Sequence, residues 1–191
     1  AKLSIVRIFG PTSALRLDGE AQTLLSVTLD GRAITDYVLD DKSLTIPASL
    51  IALPGRFTLE IVSEIAPAAN TALEGLFQSG GMFCAQCEPE GFRRITCFID
   101  RPDNLSVFTV RIEADKAQYP VLLSNGNRVE AGELAGACHY AVWHDPFPKP
   151  SYLFALVAGD LGHIQDSFVT LTGRTIDLLI YVEHGNEARA H

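Results

Sequence analysis

Long apolar runs, a helical repeat of apolar positions and an excess of positive charge are all missing from this chain of 191 residues. No stretch approaches the ~20 apolar residues that span a bilayer as a helix, and the longest candidate, Tyr152 to Ala158, has the length of a strand. The net charge of −8 and the pI near 5.0 offer no basic face, so nucleic acid and anionic membrane are excluded as partners. Methionine occurs once, as Met82. The chain is therefore read as starting after a removed Met or as a fragment. Its first residues, Ala1-Lys2-Leu3-Ser4, lack the apolar core of a secretory signal, and the expected location is the cytoplasm.

Catalytic signatures are missing too. There is no His-Glu-x-x-His helix, phosphate-binding loop, nucleophile elbow or dinucleotide fingerprint. The five histidines fall at 139, 144, 163, 184 and 191 and read as surface or packing residues. Cys84, Cys87, Cys97 and Cys138 lack the second Cys-x-x-Cys pair of a zinc ribbon. A domain of this size needs no disulfide staples, so free buried thiols are expected.

What is present is period two. Leu25, Val27 and Leu29 alternate with polar residues, as do Phe57, Leu59 and Ile61, and Phe108, Val110 and Ile112. Residues 2–9 read as a first strand, broken by Gly10-Pro11. Hairpin turns are predicted at Asp30-Gly31, within Ser124 to Asn127 and at Thr172-Gly173, with a turn at Asp40-Asp41-Lys42, and Gly80-Gly81 separates two extended segments, Leu76 to Gln78 and Met82 to Cys87. Asn70 or Thr71 is expected to cap one helical turn. Tyr152 to Ala158 is expected as a central strand. Pro146, Pro148 and Pro150 should confine their segment to an edge or crossover. With 47% hydrophobic and 20% charged residues, the fold class is all-β, one antiparallel sandwich domain over residues 1–191 with short hairpins and little helix.

One segment, residues 83–102, crowds charge, proline and apolar side chains together. Gln86 and Glu88 lie two apart, so on a strand they share a face. Glu88 sits beside Pro89 between apolar residues, a setting in which a carboxylate can receive an ammonium group through charge-assisted hydrogen bonds. Arg93, Arg94, Asp100 and Arg101 read as an internal charge network that braces the segment.

Longer motifs carry a resemblance. Asn70-Thr71-Ala72-Leu73-Glu74-Gly75-Leu76, Gln86-Cys87-Glu88-Pro89-Glu90-Gly91-Phe92-Arg93, Asp100-Arg101-Pro102, Tyr119 to Asn127, Asp145 to Pro150 and Ser151 to Asp160 occur in that order. They resemble the amino-terminal domain of bacterial aminopeptidase N-type zinc metallopeptidases, from about residue 15 onward and most densely over 70–160. The resemblance implies a saddle-shaped β-sandwich packed on a thermolysin-like catalytic domain of the same polypeptide. It implies that Glu88 binds the substrate α-ammonium and that Gln86 lines the pocket of the first residue. The family's zinc ligands and its Gly-Ala-Met-Glu-Asn motif are absent and are expected beyond His191. The chain is thus expected to be an excised domain with no cofactor of its own, inactive alone. A stand-alone β-sandwich binding module is the alternative reading.

Overall fold

A computed structural model describes residues 1–6, 13–51 and 55–190. Arg7, Ile8 and Phe9 of the expected first strand, and the Gly10-Pro11 break, lie outside the described residues. In chain order the strands are β1 (Lys2–Val6), β2 (Leu15–Asp18), β3 (Thr23–Leu29), β4 (Arg32–Ala33), β5 (Val38–Asp40), β6 (Ser43–Ile46), β7 (Arg56–Glu64) and β8 (Gly75–Ser79). They continue as β9 (Met82–Gln86), β10 (Ser106–Asp115), β11 (Val121–Ser124), β12 (Asn127–Glu133), β13 (Cys138–Lys149), β14 (Leu156–Gly159), β15 (Gly162–Val169) and β16 (Thr175–Val182). Among the described residues every strand pairing is antiparallel, and the only helical turns are short 3-10 segments. The protein is all-β, as the alternating apolar pattern requires.

The amino-terminal half is two sheets face to face, one ordered β1-β7-β3-β4 and the other β2-β6-β5. Phe57, Leu59 and Ile61 of β7 and Val27 and Leu29 of β3 point inward. Leu17 of β2 and Leu44 and Ile46 of β6 meet them, and all are buried. Each such side chain contributes about 1.5–3 kcal/mol by leaving water. The Asp30-Gly31 turn sets the β3–β4 register, Leu29 opposite Arg32. Its two central residues have φ of 49° and 77°, the left-handed pair that a two-residue hairpin demands.

The second half packs the sheet β11-β14-β9-β8 on the sheet β10-β13-β12. Ile112, Leu122, Ala141 and Ala158 fill the interface, and the Trp143 indole N–H donates to the Leu122 carbonyl at 3.1 Å. A third cluster joins the halves: Phe92, Phe98 and Phe154 with Cys87, bordered by Phe108, with ring centroids 5.0–6.0 Å apart. Leu3 of β1 touches this cluster and the amino-terminal core alike. Phe98 also exchanges two backbone hydrogen bonds with Asp18 of β2, at 2.8 and 2.9 Å. Segment 87–98 is therefore wedged between the two halves.

Four expectations differ from the structure. The Asn125-Gly126 turn is not a hairpin: β11 pairs with β14 and β12 with β13, so the turn passes the chain from one sheet to the other. The central strand in the 152–158 run begins only at Leu156, because Ser151–Leu153 closes a 3-10 turn after Pro150. Pro146 and Pro148 lie inside β13. They are tolerated because β12 stops pairing at His144 and the β10 register slips between Ser106 and Phe108, so no ladder needs their missing N–H. Asn70 starts no helical turn and instead closes the 3-10 turn Pro67–Ala69, its backbone N–H donating to the Pro67 carbonyl. Its side-chain Oδ1 accepts from the Ala72 N–H at 3.0 Å and its Nδ2 donates to the carbonyls of Glu74 and Leu76, bracing a bend.

Candidate functional site

β9 ends at Gln86, opposite Gly75 of β8. Exposure alternates from there: Gln86 is exposed, Cys87 is buried in the aromatic cluster, and Glu88 is exposed. Glu88 thus opens the turn that follows the strand and is not a strand residue itself. The Glu88–Pro89 peptide bond is cis. Among the described residues neither the Gln86 amide nor the Glu88 carboxylate has a hydrogen-bond or ion-pair partner.

Glu88 forms one wall of an open hollow of about 480 Å³, together with Pro89 and Glu90. Asp100, Pro102 and Tyr152 form the other wall. Sequence reasoning missed Tyr152 as a wall residue, having assigned it to a strand. The preceding Pro150 was the signal that the ladder is interrupted there. A second open hollow, of about 310 Å³, lies beside Asn70 and Arg94. Its one charged group, Arg94, is already paired.

The three carboxylates that line the first hollow, Glu88, Glu90 and Asp100, differ in kind. Asp100 is buried and fully engaged. Oδ2 accepts from Arg93 Nε at 3.0 Å and from the Arg93 backbone N–H at 3.2 Å, and Oδ1 accepts from the Ser151 hydroxyl. Arg93 also donates through Nη2 to the Asp100 carbonyl at 3.1 Å and meets Glu90 at 3.1 Å. The Arg93 carbonyl in turn accepts from the Gln22 amide and the Glu20 N–H, each at 2.9 Å. Such a set satisfies the charge that burial would otherwise penalise. Glu88 is the uncommitted carboxylate beside it.

The four residues expected as one internal network are in fact three separate arrangements. Only Arg93 and Asp100 form an internal pair. Arg94 pairs with Glu20 at 3.5 Å and Glu74 at 3.2 Å, because successive residues of a 3-10 turn diverge by about 120°. Arg101, next to the inward-facing Asp100, faces solvent and makes a two-pronged pair with Asp103 at 2.7 and 2.9 Å.

The cysteines are all free. Burial, with Asp100 nearby, pushes the Cys87 thiol up to about 12, and burial pushes Cys97 up to about 11. Thiols held this firmly in the protonated form are poor nucleophiles and poor metal ligands. Three of the described histidines make scaffold hydrogen bonds: His139 bonds the Tyr119 carbonyl, His144 bonds Thr109 and His184 bonds Asp160.

A family model described as the peptidase M1 N-terminal domain matches residues 16–153. The chain belongs to this family. Among curated proteins, this M1 domain is 53% identical over 185 residues to aminopeptidase N of Escherichia coli (strain K12), covering 97% of the chain and 21% of that protein. It is 51% identical over 192 residues to aminopeptidase N of Caulobacter vibrioides, covering 100% of the chain and 22% of that protein. The chain thus spans about a fifth of the length of these relatives. The solved structure of Legionella pneumophila aminopeptidase A in complex with aspartic acid superposes with a TM-score of 0.93 at 37% identity, over 98% of this chain and 22% of that one. The M1 zinc metallopeptidase of Deinococcus radiodurans shares the fold, with a TM-score of 0.80 at 18% identity over 96% of this chain and 42% of that one.

Zinc in proteins is held by three or four nitrogen, sulfur or carboxylate ligands. Among the described residues of the M1 domain no three His, Cys, Asp or Glu side chains gather in a way that could hold a metal.

Proposed function

We propose that this M1 domain anchors the amino terminus of a peptide for an aminopeptidase whose zinc and catalytic residues lie in a thermolysin-like domain elsewhere in the polypeptide. The Glu88 carboxylate receives the α-ammonium of the substrate, and Gln86 borders the pocket of its first residue. The observation that carries this reading is the contrast within one hollow: Asp100 is saturated by Arg93 and Ser151, whereas Glu88 is exposed and has no partner among the described residues. An exopeptidase must distinguish a charged chain end from an internal peptide group, and a fixed carboxylate makes that distinction. Sequence identity to two aminopeptidases N and the close superposition on aminopeptidase A support the assignment.

A charge-assisted hydrogen bond contributes roughly 1.5–3 kcal/mol. Replacing Glu88 by alanine in the full-length enzyme is therefore expected to lower kcat/KM for peptides with a free amino terminus by roughly ten- to hundredfold. Steady-state kinetics on a dipeptide amide measure it. Unchanged KM and kcat would overturn the reading. The 191-residue chain alone is expected to release no amino acid from such a peptide, with or without added zinc.

A further inference from the structure

Residue 91 carries no side chain, and its surroundings leave no room for one. A β-carbon built on Gly91 would stand 2.5 Å from the Gln86 carbonyl oxygen, 2.8 Å from the Gly75 nitrogen and 2.9 Å from the Cys87 Cα. All three are backbone atoms and cannot swing aside as a flexible side chain would. The backbone of Gly91 itself lies at φ −84°, ψ −21°, in the right-handed helical region open to every residue. Glycine is needed here for close approach and not for an unusual dihedral angle.

Hydrogen bonds hold this approach in place. The Gly91 N–H donates to the Cys87 carbonyl at 2.9 Å, and the Gly91 carbonyl accepts from the Arg94 N–H at 3.0 Å. On the far side Gly75, opposite Gln86 in the β8–β9 ladder, presses on the same place: a β-carbon there would stand 2.9 Å from the Gly91 carbonyl. Glu90, the residue before Gly91, is tied through Arg93 to the buried Asp100. The turn that carries Glu88 is thus folded flat against the end of its own strand.

Two of the three atoms that a methyl group at position 91 would displace belong to Gln86 and Cys87, the two residues immediately before Glu88, and the third is the Gly75 nitrogen of the neighbouring strand. The geometry points to Gly91 as a positioning residue for substrate anchoring: its seat on the Gln86–Cys87 backbone sets where the Gln86 amide and the Glu88 carboxylate stand. Glu90, through Arg93, is the second tether of the same turn. This inference rests on the anchoring role of Glu88.

A double-mutant cycle in the full-length enzyme tests it. Gly91→Ala is expected to raise KM for a dipeptide amide with a free amino terminus on the order of tenfold while kcat stays within about threefold. In a Glu88→Ala background the same substitution is expected to change KM by less than about twofold, because the group it displaces is already gone. An effect of equal size in both backgrounds, or none in the wild-type background, would overturn the inference. A purely structural role would lower the yield of folded enzyme without this dependence on Glu88. Should Gly91→Ala fail to fold, Glu90→Gln, at an exposed position, is expected to give the same pattern at about threefold, and equal effects with and without Glu88 would count against it. An unaltered KM for Glu88→Ala alone would instead remove the anchoring role itself, and that measurement leaves Gly91 untouched.

Discussion

Arg93 Nε stands 3.0 Å from Asp100 Oδ2, with the two side chains 13% and 2% exposed. This is the only member of the expected charge network that is shut away from water. It fixes the 3-10 turn at Phe92–Arg94 to the segment that leads into Pro102. The pair thereby ties together the two walls of the hollow that contains Glu88.

Removing one partner of that pair leaves the other buried without compensation. Asp100→Ala is expected to lower the stability of the chain by about 3–5 kcal/mol. Arg101→Ala, which breaks only the exposed pair with Asp103, is expected to cost less than about 1 kcal/mol. Urea unfolding of both variants separates them. Equal losses would contradict the assignment of Asp100 as the internal anchor.

Cys87 and Cys97 supply a test in pH. Burial holds both thiols protonated in the folded chain, up to about 12 and about 11. In the unfolded chain they ionise at about 8.5. The folded state binds the protons more tightly, so their contribution to stability is fully present below the unfolded value. It is lost as pH rises through the folded values. Stability is therefore expected to decline from pH 9 to pH 11, and less so in a Cys87→Ala, Cys97→Ala double variant relative to its own value at pH 8. A maleimide at pH 8 should leave Cys87 and Cys97 unmodified until the chain is unfolded.

His184 responds in the opposite part of the pH scale. Its Nε2 is 3.0 Å from Asp160 Oδ1, and Nδ1 is 3.7 Å from Glu187. The hydrogen bond to Asp160, with the charge of that carboxylate and of Glu187, raises the imidazole above its ordinary 6.5. The charged contact holds the tail after β16 to the β14–β15 connection below the ordinary value, and it is lost as pH rises through the raised one. Proton NMR titration of His184 should show a midpoint above 6.5, and Asp160→Asn should bring it down. A midpoint unchanged by that substitution would contradict the contact.

Much of the fold was legible in the chain because its signals are local. The alternation of Phe57, Leu59 and Ile61, and of Val27 and Leu29, named core residues directly. Asp30-Gly31 named its hairpin because left-handed φ values select glycine and its neighbours. What failed was information that lies between segments. The Asn125-Gly126 turn carries the same residues whether the strands it joins pair with each other or with others. Arg94 and Arg101 differ from Arg93 only in direction, which a 3-10 turn and an adjacent inward aspartate decide. Tyr152 sits in an apolar run that cannot tell a buried turn from a strand. Gln86 and Glu88 were named from their spacing, from the setting beside Pro89 and from the motifs around them. The structure adds that one ends a strand, that the other opens a turn, and that buried Cys87 separates them.

The most direct measurement compares an amino-acid-based inhibitor with its analogue lacking the amine, on full-length wild-type enzyme and on Glu88→Gln. Glutamine keeps the size of the side chain and removes only its charge. Wild type is expected to prefer the amine-bearing inhibitor by roughly ten- to hundredfold, and Glu88→Gln is expected to reduce that preference to within about threefold. An undiminished preference in Glu88→Gln would show that the ammonium is read by some other group, and would contradict the role assigned to this carboxylate.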